Sequence, residues 1–238
     1  MTEVSKTADK ALLILSDLAQ HGPATLQRIA ERSRINRTVA HRLVVALTAR
    51  GFVTRTDHTY AVAARVRRLA DSVFAELRSA AHGPLDRLAE TTAATVVLQV
   101  LDGRSITVIE ERAPGTGLDL RARLEVGTRR GLSESPSGAA AVAALPGGTR
   151  ERTVTSLGLD APNATRFEGW LAATLAHGTT DIEIDPLAGV CEAGAPVATG
   201  DTAACVALLA PAARADELRR HLSALHATAR SIQRALGG

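Results

Sequence analysis

The chain has 238 residues, 45% apolar and 22% charged, a globular composition long enough to bury one large core or two small ones. An aromatic share of 2% argues against base-stacking platforms for single-stranded nucleic acid, which need several Phe, Tyr or Trp. The formal charge of +3 is unevenly spread: residues 1–78 hold 13 Lys and Arg against 7 Asp and Glu, residues 79–238 hold 15 against 18, so a basic segment suited to a polyanion precedes a mildly acidic remainder.

Residues 8–20 carry Ala11, Leu12, Leu15, Leu18 and Ala19 at three- and four-residue spacings, which predicts an amphipathic helix ended by Gly22-Pro23. Thr25 caps a second short helix, LQRIAERS, with Leu26, Ile29 and Ala30 inward, and Arg34-Ile35 forms the turn after it. A third helix begins at Asn36 as N-cap. On a wheel it sets Val39, Leu43, Ala46 and Leu47 on one arc and Arg37, Thr38, His41 and Arg42 on the other. The polar arc is basic and lies in the first two turns, the part of a recognition helix that meets base edges in the major groove. There Arg pairs bidentately with guanine, and the free amides suit a phosphate. Phe52–Arg55 and Tyr60–Val62 read as two strands around the polar tip Thr56–Thr59, a wing from which Arg55 and His58 reach the backbone or the minor groove. Three helices and a hairpin in this order predict a winged helix-turn-helix on double-stranded DNA.

The run "ALLILSDLAQHGPATLQRIAERSRINRTVAHRLVVALTARGFV" resembles the amino-terminal domain of the isocitrate lyase regulator (IclR) family of bacterial transcription factors, above all in "RTVAHRL" and "GFV". Val39 departs from the small hydroxyl residue usual in that family, removing a phosphate contact while keeping an inward apolar arc.

Residues 64–81 have Val66, Leu69, Val73, Phe74 and Leu77 at helical spacing before Gly83-Pro84, predicting a connecting helix; Leu85–Thr92 predicts another, shorter one. The domain layout is then 1–63, a linker at 64–81, and 82–238. Ala94–Val100 and Ile106–Glu110 are strands joined by Asp102-Gly103, a strong hairpin signal. Leu118–Val126 and Gly189–Val197 read as further strands, and Ser137–Ala144, Ala164–Ala176 and Arg214–Leu236 as helices. Strands and helices without a regular βαβ repeat favour an α+β sensor domain over a doubly wound one.

No phosphate-binding loop, dinucleotide fingerprint, nucleophile elbow or zincin pair is present, so catalysis finds no support and no catalytic residue, cofactor or metal is expected. Glu110 and Glu111 alternate across a strand and cannot share a face, and Asp181-Ile182-Glu183-Ile184-Asp185 reads as a solvated strand edge. Two alternatives rest on cysteine. An enzyme using Cys191 needs a nearby His and carboxylate, and a thiol redox sensor needs Cys191 close enough to Cys205 to bridge. Two cysteines are too few for a disulfide framework, no window reaches 18 uninterrupted apolar residues, and the start lacks a signal-peptide core, so a cytoplasmic protein without a membrane partner is expected.

The resemblance continues through "VGTRRGLSESPSGAAAVAAL", "HGTTDIEIDPLAGVCEAGAPV", "CVALLAP" and "ATARSIQRALG". It implies a GAF-like α+β effector-binding domain with a central antiparallel sheet, and a DNA-binding repressor controlled by a small organic effector. By carry-over, Ser135, Pro136, Ser137, Gly138, Asp181, Cys191, Leu208 and Ala210 line the effector pocket. Ala139 replaces a frequent Lys, and Leu208 and Ala210 stand where hydroxyl residues serve members that bind small carboxylates, so a less anionic effector is expected. One recognition helix reads too little sequence alone, so a homodimer or dimer of dimers on repeated half-sites is expected.

Overall fold

The computed structural model describes residues 5–72, 74–114, 122–185, 187–200 and 202–237. The chain divides into two compact units, Met1–Ala75 and Glu76–Gly238.

In the first unit, α1 (Lys6–His21) is followed by β1 (Ala24–Thr25), α2 (Leu26–Arg32), α3 (Arg37–Ala49), β2 (Val53–Thr56), β3 (Thr59–Val62) and α4 (Ala64–Ser72). The run ALLILSDL is apolar on several sides, so its spacing cannot decide which face is inward. The buried stripe is Ile14 and Leu18 flanked by Ala11 and Leu15, while Leu12 and Ala19 are exposed. Thr25 caps α2, its hydroxyl accepting from the Arg28 amide, and Asp17 of α1 accepts from Arg32 of α2 at 2.8 Å, which ties the two helices together. The turn into α3 passes through Arg34 at φ 53°, and Ile35 closes α2 by donating to Ala30 O at 2.9 Å. The wing hairpin pairs Val53–Thr56 with Val62–Thr59, and Ala24-Thr25 adds a third strand not foreseen, in the order β1-β3-β2.

The connector differs from expectation. One helix stops at Ser72, Phe74 sits at φ 53°, and α5 runs unbroken from Ala75 to Thr92 through Pro84. Pro84 forfeits one backbone bond, and its neighbour Gly83 has no Cβ to clash with the ring, so burial of Ala81, Leu85, Leu88 and Ala89 prevails. Val73 lies outside the described residues.

The second unit is built on a six-stranded antiparallel sheet of order β6-β5-β4-β9-β8-β7. Its strands are β4 (Thr95–Asp102), β5 (Ser105–Arg112), β6 (Arg129–Gly131), β7 (Glu183–Asp185), β8 (Val190–Thr199) and β9 (Thr202–Pro211). Its helices after α5 are α6 (Pro136–Ala143), α7 (Gly147–Leu157), α8 (Ala161–His177), α9 (Ala215–Arg219) and α10 (Leu222–Ala235). β4 and β5 form the expected hairpin, with Gly103 at φ 62° in its two-residue loop. The strand expected over Leu118–Val126 falls partly outside the described residues, and 122–125 has no regular structure. Instead Val108 bonds Thr128 O and Gly127 bonds Val108 O, and pairing resumes only at Arg129, as the short strand β6.

Strand alternation divides the sheet into two faces. One carries Val97, Gln99, Ile106, Val108, Cys205, Ala207 and Leu209; Ile106 and Cys205 pack against α6 and α8 through Ala139–Val142, Phe167 and Trp170, while Val97, Val108, Ala207 and Leu209 form a separate cluster with Ala122. The other carries Leu98, Glu110 and Arg112, joined to α5 by Arg78 and Asp86. Small residues let α6 approach its neighbours closely. A Cβ on Gly138 would stand 2.0 Å from Leu132 O, and one on Gly194 would stand 2.9 Å from Ala140 Cβ.

Candidate functional site

Two groups of side chains are candidates for binding, one in each unit. In the first, Asn36 Oδ1 accepts from the Thr38 amide at 2.9 Å and starts α3 with its remaining first-turn amides facing outward. Arg37, Thr38, His41 and Arg42 are all exposed, and among the described residues neither arginine has a hydrogen bond or an ion pair. The inward arc is Ala40, Leu43 and Val44 with Leu47, so it is rotated from the expected one. Val39 and Ala46 are exposed, and Val39 stands among the basic residues rather than under them. A crevice lined by Gln27, Glu31, Arg34 and Arg37 runs between α2 and the start of α3. On the wing, His58 is exposed at the two-residue tip beside Asp57 at φ 53°. Arg55 is folded onto its own hairpin, donating to Asp57 O at 2.9 Å with its guanidinium 5.7 Å from the Tyr60 ring centre.

In the second unit the carried-over residues separate. Ser135, Pro136, Ser137 and Gly138 are all buried at the start of α6, and the hydroxyls of Ser135 and Ser137 lie 3.0 Å apart. Cys191, Leu208 and Ala210 are buried too, but on the other side of the sheet. β8 and β9 pair in unbroken register, and the residues on the α6 side of the sheet are Glu192 and Gly194, Ala207 and Leu209. The carried-over strand residues and Ser135–Gly138 therefore lie on opposite faces of the sheet, since one position along a strand reverses the face. Asp181 is exposed, just after Thr180, whose hydroxyl accepts from the Gly194 amide at 2.9 Å.

The α6 face also holds a charged cluster that spacing did not signal. Arg130 of β6 donates to both oxygens of Glu192 at 2.8 and 2.9 Å, to Ser137 Oγ at 2.8 Å and to Gln99 Oε1 at 3.4 Å. Glu192 is 6% exposed and Gln99 wholly buried. Burial alone would lower the Arg130 pKa, but the hydrogen bond and charge of Glu192 reverse that and raise it, so the guanidinium stays charged. Beside this cluster Val97, Val108, Ala122, Ala207 and Leu209 form a buried apolar cluster. The available signal was a lone Glu in VCEAGAPV and a lone Gln in VVLQVL, polar residues inside apolar strands.

The two cysteines do not meet. Cys205 faces α6 and pairs with Pro196, five positions along β8 from Cys191, about 16 Å at about 3.3 Å per residue, while Cys191 faces away and donates to Pro211 O. Burial raises both thiol pKa values, so neither is an activated nucleophile, and the bridging redox alternative is incompatible with this placement. Among the described residues no three His, Cys, Asp or Glu converge as a metal set, and no helix is long and apolar enough to cross a membrane.

Comparison with known proteins matches both units. The IclR helix-turn-helix domain model covers residues 7–57, and the model for the C-terminal domain of bacterial IclR transcriptional regulators covers 70–234. The probable transcriptional regulator SauR of Cupriavidus necator is 30% identical over 211 residues, 84% of this chain and 82% of that protein. Among solved structures, IclR of Thermotoga maritima superposes with a TM-score of 0.75 at 22% identity, covering 98% of this chain and 99% of that one. An IclR homolog of Microbacterium hydrocarbonoxydans, complexed with 4-hydroxybenzoate, gives 0.77 at 19% identity with the same coverage. A capped basic helix in a winged helix-turn-helix, an α+β unit that follows it in the chain and family matches across both together place this chain in the IclR family of bacterial transcriptional regulators, with a DNA-binding domain and a C-terminal effector domain.

Proposed function

We propose that the protein is a repressor that binds operator DNA as a homodimer or dimer of dimers and is controlled by a small organic effector. α3 enters the major groove with Arg37, Thr38, His41 and Arg42, the Asn36 cap leaves first-turn amides for a phosphate, and Arg55 and His58 approach the backbone from the wing. Val39, exposed among these residues, suits contact with a thymine methyl group. The observation that carries this reading is the pair of exposed arginines without a protein partner at the start of a capped helix. Such charges gain most from a phosphate or a guanine edge.

The effector binds on the α6 face of the sheet, between the start of α6 and the strands bearing Gln99, Glu192, Ala207 and Leu209. Support comes from a buried polar cluster adjoining an apolar cluster, the usual composition of a small-molecule site. Effector binding biases the spacing of two DNA-binding units, and a coupling of about 1–3 kcal/mol gives a 5–150-fold change in operator affinity. The test is titration of selected operator DNA with Arg37→Ala and Arg42→Ala. A guanine contact costs about 1–3 kcal/mol and relaxes one base position, and a phosphate contact weakens all sequences and lowers the salt slope by about one. Unchanged binding of the double variant, with the fold intact, rejects α3 as the reading helix.

A further inference from the structure

Gln99 is wholly buried in the middle of β4, and its Nε2 has no hydrogen-bond partner. The orientation of its amide follows from its neighbour. A guanidinium can only donate, so Gln99 must present Oε1 to Arg130 and turn its NH2 group away. Arg130 itself spends Nη1 and Nη2 on Glu192 and Ser137, and its buried Nε is also unmet. The cluster therefore lacks acceptors and has donors to spare.

The charge of the missing acceptor follows from Glu192. Arg130 and Glu192 already neutralise each other at hydrogen-bonding distance, on a face where Glu192 is 6% exposed. A carboxylate brought to the same guanidinium would lie close to the Glu192 carboxylate, and two like charges in a poorly solvated site repel strongly. An uncharged oxygen meets the same donors without that repulsion. Around it, Val97 two residues before Gln99, Val108 opposite it, and Ala207 and Leu209 on β9 offer apolar surface only.

Resting on the effector-site reading above, we propose that the effector is an uncharged, carbonyl-bearing molecule with an apolar body, whose carbonyl oxygen accepts from the Gln99 amide and Arg130 Nε. Gln99 is then the residue that distinguishes a neutral carbonyl from a carboxylate of the same skeleton, and Glu192 is the group that repels the carboxylate. The less anionic ligand is thus argued from Gln99 and Glu192 rather than from Leu208 and Ala210.

The test is calorimetric titration of the full chain with matched probes, isobutyramide against isobutyrate and benzamide against benzoate, at pH 7.5. The parent, Gln99→Met, which keeps the length and loses the amide, and Ala207→Phe, which adds bulk in the apolar cluster, are compared. The expected result is at least tenfold tighter binding of one amide than of its carboxylate, at least tenfold weakening of that amide by Gln99→Met with operator binding retained, and loss of binding in Ala207→Phe. A carboxylate that binds as tightly as its amide and is lost in Ala207→Phe overturns the ligand class and leaves the site standing. Binding that survives Ala207→Phe overturns the site as well. Binding of neither amide at millimolar concentration overturns the proposal. If Gln99→Met fails to fold, Gln99→Leu takes its place under the same criteria.

Discussion

The two binding regions satisfy their polar groups in opposite ways. On α3 the candidate DNA-contacting side chains are exposed and find no partner in the protein, whereas on the α6 face Glu192, Ser137 and Gln99 are buried, Arg130 is half-buried, and the four are bonded to one another apart from Gln99 Nε2 and Arg130 Nε. A surface that must meet a long polyanion keeps its charges hydrated and free until contact. A site that must select a small molecule is organised in advance, and the cost of desolvating its polar groups is met by folding. Substitutions in the first region should therefore alter DNA affinity and spare stability, and those in the second should cost stability as well.

The largest effect that would test this contrast comes from Glu192→Ala. It leaves the Arg130 guanidinium mostly buried without a counterion, and the loss should be about 3 kcal/mol, at the low end for a broken buried pair because Arg130 keeps some exposure. Denaturant unfolding monitored on the C-terminal unit measures it. A loss below about 1 kcal/mol would mean that water already serves Arg130 and that the two regions are alike. Gly138→Ala comes next. A methyl group there meets the Leu132 carbonyl, so α6 must shift from the segment that follows β6, at about 2–3 kcal/mol by thermal melting.

The contrast sharpens at the N-terminal unit. Arg37→Ala should leave the melting free energy within about 0.5 kcal/mol while weakening operator binding, since the residue is exposed and makes no bond in the protein. Asn36→Ala is the mixed case: loss of the cap costs about 1 kcal/mol of stability, and misplacement of the first turn also lowers DNA affinity.

The smallest effect concerns pH. Burial would raise the Glu110 pKa, but hydrogen bonds from Arg112 and Arg78 overcome that and leave it below the ordinary carboxylate value. A depressed folded-state pKa stabilises the protein above the unfolded value of about 4.3 and loses that contribution as pH falls through the folded value. Glu110→Gln should accordingly flatten the melting temperature against pH below about 4.3 and leave the slope above pH 6 unchanged.

These regions also differed in how far the sequence disclosed them. The geometry of α3 was legible because its determinants are local. A cap at Asn36, a helix start and a basic cluster within seven residues are fixed by backbone geometry over two turns, and only the rotation of the inward arc by about one position was misjudged, since apolar residues surround α3 on several sides. The α6 face was not legible because its members come from four separate segments. Gln99, Arg130, Ser137 and Glu192 meet only when β6 reaches the edge of β5 and α6 settles on β8 at Gly194.

The sequence by itself determined the two-part character of the chain, the helix-turn-helix with its wing, the α+β class of the remainder and the family, because periodicity, caps, turns and charge distribution act over short stretches of chain. Tertiary structure alone decided which face of β8 and β9 meets the helix. Strand register has a period of two, so a single-residue offset that composition cannot register moves Cys191, Leu208 and Ala210 to one side and leaves Glu192, Ala207 and Leu209 on the other.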